Sequence, residues 1–402
     1  MSFTRSQLII LGAVGLIALI VIIIIFTGIG LRPDREKTIL TVWGIDDPVV
    51  FEMAKSGFSV ENPEVQIVYT QIPEEDYEEE LIDALAAGRG PDIFFFRSDW
   101  MNEHRNKIVS APPTLLPIEI FTELFPQVVT QNFVFNDQIY ASPLYIDTLA
   151  LYYNKDIFDR RGIAFPPGTW SRFQSTVAHG VTASFGGTAP LVVRAGDIMN
   201  ALLMQANANI YLDGKRLIQI SGSPGITALS LYTSIRAPTV ETYTGFANGT
   251  IGMIIDYQSA ESLIIARNPR LNFAVAPLPQ LRPDSPVVPA RYHGLAVSNK
   301  SLLPALAWEF ILYTTTNAQV ADNYLIASNR SPALRSLIQA NIDSPAHGVF
   351  ASQALIARSW NMPASEDVFA IFNTMIQSVR NNTATPREAL ANAERAINAL
   401  VQ

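Results

Sequence analysis

The chain has no cysteine in 402 residues, so disulfides, thiolate metal ligands, a thiol nucleophile and lipidation of an N-terminal cysteine are excluded together. Histidine is scarce as well. The four histidines, at 104, 179, 293 and 347, stand too far apart in sequence to form a local metal site. Positive charge is in deficit, with a formal net charge of −8. That balance disfavours a surface that tracks phosphates by counterion release, and nucleic acid is set aside as a partner. The patterns G-x-S-x-G, G-x-G-x-x-G and H-E-x-x-H and the Walker loop are absent too. The residues therefore name no catalytic group, no cofactor and no metal. A pair of carboxylates acting on a glycoside stays open, because such partners need only be neighbours in space.

What is present is apolar mass, at 49% hydrophobic residues, enough in this length for two domains or one large two-lobed body. Residues 8–26, LIILGAVGLIALIVIIIIF, are 19 positions without a charge, about the span of a bilayer-crossing helix. A cleaved signal has a shorter apolar core of roughly 7–15 residues, so an uncleaved anchor is the expectation. It gives a cytoplasmic tail over 1–7, an anchor over 8–26, a linker over 27–37 and a soluble body outside the cytoplasm.

Beyond the linker, strand-like and helix-like pieces alternate. A β-rich run at 38–43 precedes apolar residues at helical spacing over 49–58, and a second strand follows at 65–69. Tyr77, Leu81 and Leu85 lie on one face of the next helix, which Gly88 can end before Pro91. The third strand is IFFF, within GPDIFFFRSDW at 90–100. Continuous apolar strands alternating with helices predict a parallel sheet covered on both faces. Ligands of such sheets bind beyond the carboxyl ends of the strands, so RSDW reads as the exit toward a crevice. The acidic cluster at 74–80 reads as a solvated face that complements the helix dipole. Near the C-terminus, Thr385-Pro386-Arg387-Glu388 is a capping box with proline at the first helical position.

Several segments, LTVWGIDDP, AAGRGPDIFFF, PLYIDTLALYYNKDIF, FANGTIGMIIDY and HGLAVSN followed by AWEFILYTTT, together resemble the extracellular solute-binding proteins of ABC importers, the sugar-binding group that includes maltose-binding protein. The resemblance runs over nearly everything after residue 38. It implies an α/β fold of two lobes, 38–143 with 280–335 and 147–275 with 340–402. The chain would cross between them near Asp147 and again at 276–279. It also implies a monomer that takes a small-molecule ligand, a sugar, between closing lobes and hands it to ABC permease subunits without chemistry. The same fold binding a polyamine or peptide, a sensing ectodomain and a surface carbohydrate enzyme are the alternatives.

A sugar offers hydroxyls to carboxylates and amides, and apolar ring faces to aromatic side chains. By matching position in the family, Asp47, Asp99 and Asp147 are expected to bind hydroxyls, and Phe96 to form an aromatic platform. Trp43 and Trp100 follow the first and third strands. In the second lobe Arg194, Asp197, Asp256 and Tyr257 are named, with Tyr292, Trp360 and Phe369 further on. Trp43 and Phe96 read equally well as core, and Asp99 as a helix cap. Asp147 sits in an apolar strand, where a carboxylate needs partners. Tyr152 and Tyr153 alternate across a strand and cannot both face one ligand, which weighs against an iron site.

Overall fold

The computed structural model describes residues 12–19, 22, 37–185, 195–210, 218–235, 242–360 and 362–401. The expected alternation is present as Thr38–Gly44 (β1), Pro48–Glu61 (α1), Val65–Gln71 (β2), Glu74–Ala86 (α2) and Ile93–Arg97 (β3). β1 pairs in parallel with β2 on one side and with β3 on the other. Position in the sheet explains the two sequence patterns. β2, at the edge, buries Val65 and Ile67 and exposes Gln66 and Val68, whereas β3, inside, is buried at all five positions.

The helices are started and stopped by local chemistry. Asp47 caps α1 by accepting the Val49 N–H at 2.7 Å, and Pro48 opens the helix. Tyr77, Leu81 and Leu85 form the buried face of α2, and Gly88, at φ +69°, supplies the left-handed residue beyond its end. The Tyr77 hydroxyl locks helix to sheet, donating to the Trp43 carbonyl at 3.1 Å and accepting the Phe95 N–H at 2.9 Å. The Thr385–Glu388 capping box is formed, at the start of Pro386–Ala399.

The remaining strands of the two larger sheets are β4 (Ile108–Val109), β5 (Ser142–Pro143), β6 (Ala150–Asn154), β7 (Ala183–Phe185), β8 (Met253–Asp256), β9 (Phe273–Pro277) and β10 (His293–Ser298). The first sheet runs β2–β1–β3–β10–β4, with β5 also on β10; the second runs β9–β6–β8–β7. β10 is antiparallel to β3, so a strand distant in sequence completes the first sheet. Helices Ala195–Gln205 (α3) and Ser365–Arg380 (α4) pack on each other, and Pro386–Ala399 packs on α4. This makes the two α/β bodies that the resemblance implies.

Of the apolar run at 8–26, residues 12–19 are helical and exposed; the rest of it, apart from Ile22, lies outside the described residues. Among the described residues no helix is long and apolar enough to cross a membrane.

Candidate functional site

Three stretches of chain pass side by side between the bodies. Tyr145 bridges to Pro332 and Thr148 to Ala290, both antiparallel. The Ile146 N–H donates to the Ser331 carbonyl at 3.2 Å and the Arg291 N–H to the Asp147 carbonyl at 3.0 Å. The first of these stretches passes between the bodies at Asp147. The return differs from the expected 276–279. At 276–277 the chain is still in β9, and the next residues stay with the second body, since Gln205 of α3 hydrogen-bonds Pro279, Leu281 and Val287. The chain goes back only at Ala290 and Arg291.

Beyond the carboxyl ends of β1 and β8, three adjoining hollows open between the bodies. One, with about 510 Å³ of empty space, is lined by Ile45, Glu74, Tyr145, Asp147, Tyr257 and Arg291 among others. A second of about 350 Å³ includes Asp99, Asp197, Tyr257, Arg291 and Phe369, and a third of about 830 Å³ includes Glu74, Arg97, Trp100, Arg291 and His293. Arg291 lines all three, so they are parts of one cleft.

Electrostatics converge on that arginine. Burial disfavours its charge, but the carboxylates of Asp197, Asp99 and Glu74 outweigh the cost and hold its pKa above the ordinary value. Among the described residues its guanidinium makes no hydrogen bond or ion pair. Asp147 is opposite in character. Its carboxylate accepts the Gln258 N–H at 2.8 Å, yet burial outweighs this bond and the nearby Arg330, raising its pKa to about 6. His293, whose Nδ1 lies 2.9 Å from the Tyr145 hydroxyl, is held neutral by burial and by Arg330, Arg97 and Arg291. Arg330 bonds Asp46 at 2.7 Å and lies 3.9 Å from the centre of the Tyr145 ring.

The structure divides the expected residues. Asp99, Asp147, Asp197, Tyr257, Tyr292 and Phe369 line the cleft. Asp99 also pairs with Arg97 at 2.6 Å, and Asp197 accepts the Tyr257 hydroxyl at 3.0 Å. Five others are placed differently. Asp47 is exposed on the far side of the turn, occupied as the cap of α1. Trp43 is half-buried against the core and Phe96 is fully buried between Trp100 and Phe133. Asp256 is buried, accepting the Tyr243 hydroxyl at 2.6 Å, and the Trp360 indole donates to Asn200 at 3.0 Å. Trp100 borders the third hollow but is a core ring, 1% exposed and stacked on Tyr77. Arg194 lies outside the described residues.

The boundary between core and cleft on β3 thus falls after Phe96, at Arg97. Arg97, Arg291, His293 and Arg330 were not singled out by the sequence reading. A signal existed for two of them, since basic residues directly after or before an apolar strand need anionic partners when buried. RYHG shows Arg291 in that position and FFFR shows Arg97.

Among the described residues one group, Glu78, Glu103 and His104, has ligand atoms within metal-binding reach of one another. Its hydrogen bonds argue against an ion. Lys107 Nζ, a donor only, is 3.2 Å from His104 Nδ1, so Nε2 carries the proton and donates to Glu78 at 2.9 Å.

A cleft between two α/β bodies joined by three crossings defines a ligand-binding protein of two lobes. The model of the bacterial extracellular solute-binding protein family matches residues 51–321, and the chain belongs to that family. Its fold matches the sugar-binding protein MalE from Xanthomonas citri with a TM-score of 0.78 at 20% identity, covering 90% of this chain and 97% of that one. The maltotriose-binding protein of Pyrococcus abyssi is 20% identical over 85% of this chain and 76% of its own length. A binding protein of Brucella abortus (strain 2308) is 23% identical over 57% of this chain, and the match spans 59% of that relative's length.

Proposed function

We propose that this chain captures a carbohydrate, of oligosaccharide size, between its two lobes and delivers it to an ABC permease. Residues 8–26 tether it to the cell membrane as a single span, with the body outside the cytoplasm. The carrying observation is the cleft itself, where Asp147, Asp197 and Arg291 offer hydrogen bonds beside the rings of Tyr145, Tyr257 and Phe369. The sugars named for its relatives favour the same ligand class. The lobes are 38–143 with the segment from 290 to 335, and 147–289 with 340–402. They close about the three crossings, driven only by tighter binding to the closed form. The chain acts as a monomer and performs no chemistry, so bound sugar leaves unaltered.

Titration calorimetry of the full chain in detergent with maltotriose and maltotetraose tests the ligand class. Binding at one site is expected, with stabilisation of about 2.7 kcal/mol at a ligand concentration a hundredfold above Kd. A polyamine that stabilises the chain when no sugar does would replace the ligand class. Arg291→Ala is expected to weaken sugar binding by about 1.5–3 kcal/mol, the range for a hydrogen bond to a charged group. Unchanged affinity in that variant removes Arg291 from the binding surface.

A further inference from the structure

We propose that Arg97 is a positioning residue for ligand capture, clasping the start of α4 to the first sheet so that contacts within the protein hold the lobes closed alongside any ligand. The proposal rests on the reading of the chain as a two-lobed binding protein.

Arg97 ends β3, and its side chain is only 9% exposed. Its Nε donates to Asp99 at 2.6 Å, and its Nη2 crosses to the other body, reaching Ser365 Oγ at 2.9 Å and Glu366 Oε1 at 3.1 Å. The guanidinium also lies 5.1 Å from the centre of the Trp100 ring, which fixes its plane. Two neighbours reach across the same way. Asn102 donates to the Met362 carbonyl at 3.2 Å, and the Glu103 carboxylate faces the Ser365 N–H, which favours its charged form.

The helix end explains why this contact differs from a chance surface pair. α4 begins after Ala364, at φ 41°, and has no side-chain cap of its own. The free N–H groups and positive end of a helix call for an acceptor, and the first lobe supplies it through Glu103. Opening the lobes therefore takes the Glu103 carboxylate away from the start of α4 and strips Arg97 of two acceptors at once. Because α4 packs on α3 and on Pro386–Ala399, it moves with the second lobe. The clasp sets the closed fraction before ligand arrives, and apparent affinity scales with that fraction.

The absence of native cysteine lets two introduced cysteines, at exposed Glu80 and Asn373, carry spin labels on the full chain in detergent. Without ligand, a mainly short distance is expected, lengthening in Glu366→Gln and Arg97→Gln and partly recovering in Arg97→Lys. With maltotetraose the short distance returns, and dissociation is about threefold to tenfold faster in Glu366→Gln at an unchanged association rate, since the pair is half exposed on one side. Glu366→Gln changes a 54% exposed side chain and stays folded if Arg97→Gln does not. Identical unliganded distances in the parent and Glu366→Gln would overturn the clasp. Clasp-dependent distances in a chain that binds no sugar would overturn the ligand class and leave the clasp standing.

Discussion

Asp46→Ala is expected to destabilise the fold by about 3–5 kcal/mol, the cost of stripping a buried charge of its partner. Asp47→Ala, one residue on, is expected to cost about 1 kcal/mol, the worth of a helix cap. Asp46 is 6% exposed and accepts from Arg330 Nη2 at 2.7 Å and from the Tyr324 hydroxyl. Its backbone carbonyl also accepts the Tyr69 hydroxyl at 2.8 Å. Removing the carboxylate takes the anionic partner from a partly buried guanidinium and the acceptor from a buried phenol at the third crossing. Asp47 faces solvent and satisfies only the Val49 N–H. Asp46→Asn, which keeps one acceptor oxygen, is expected to fall between the two. Urea titrations at unchanged m-value measure all three. Equal midpoints for Asp46→Ala and Asp47→Ala would show that the Asp46–Arg330 pair carries no stability.

That contrast marks what was legible in the sequence. Periodicity and turn residues locate β1 to β3, the buried face of α2 and the C-terminal capping box, because apolar spacing and turn or cap residues within each short segment mark it. The side on which IDD turns its two aspartates is set by Arg330 and Tyr324, nearly three hundred residues away, and no local pattern carries that choice. Matching position in the family puts Phe96 in the cleft as an aromatic platform, and the residues around it put it in the core. Its burial is decided by Phe133 and Trp100, and by β10, whose pairing opposes Gly294 to Phe96. A side chain at 294 would meet the Phe133 ring at 2.8 Å, so that glycine keeps the core closed over Phe96. The resemblance implies a second crossing at 276–279, whereas that stretch stays with the second body. The backbone of Pro279, Leu281 and Val287 is held by the buried amide of Gln205.

Asp147→Asn is expected to move stability and binding in opposite directions. Burial raises the carboxyl from its ordinary 3.8 to about 6, so the folded state holds a proton that the unfolded chain has released. Stability from this group is therefore full below about pH 4, falls as pH rises through 6 and is lost above it, a change of about 3 kcal/mol. Asparagine keeps an acceptor for the Gln258 N–H and carries no charge, so the variant is expected to be more stable than the parent at pH 7.5 and equally stable at pH 4. Glu103 and Glu261 are also raised by burial, and the difference between parent and variant isolates Asp147 from them. Ligand hydroxyls that donate to the carboxylate favour its ionised form. Parent affinity is then expected to drop as pH falls from 7 to 5, with proton release on binding in that range, and the variant to bind about tenfold more weakly at pH 7.5 without that slope. A variant less stable than the parent at pH 7.5 contradicts the desolvation argument. A stabilised variant with full affinity keeps that argument and removes Asp147 from the ligand surface, leaving it a buried charge held at the crossing by the Gln258 N–H and the nearby Arg330.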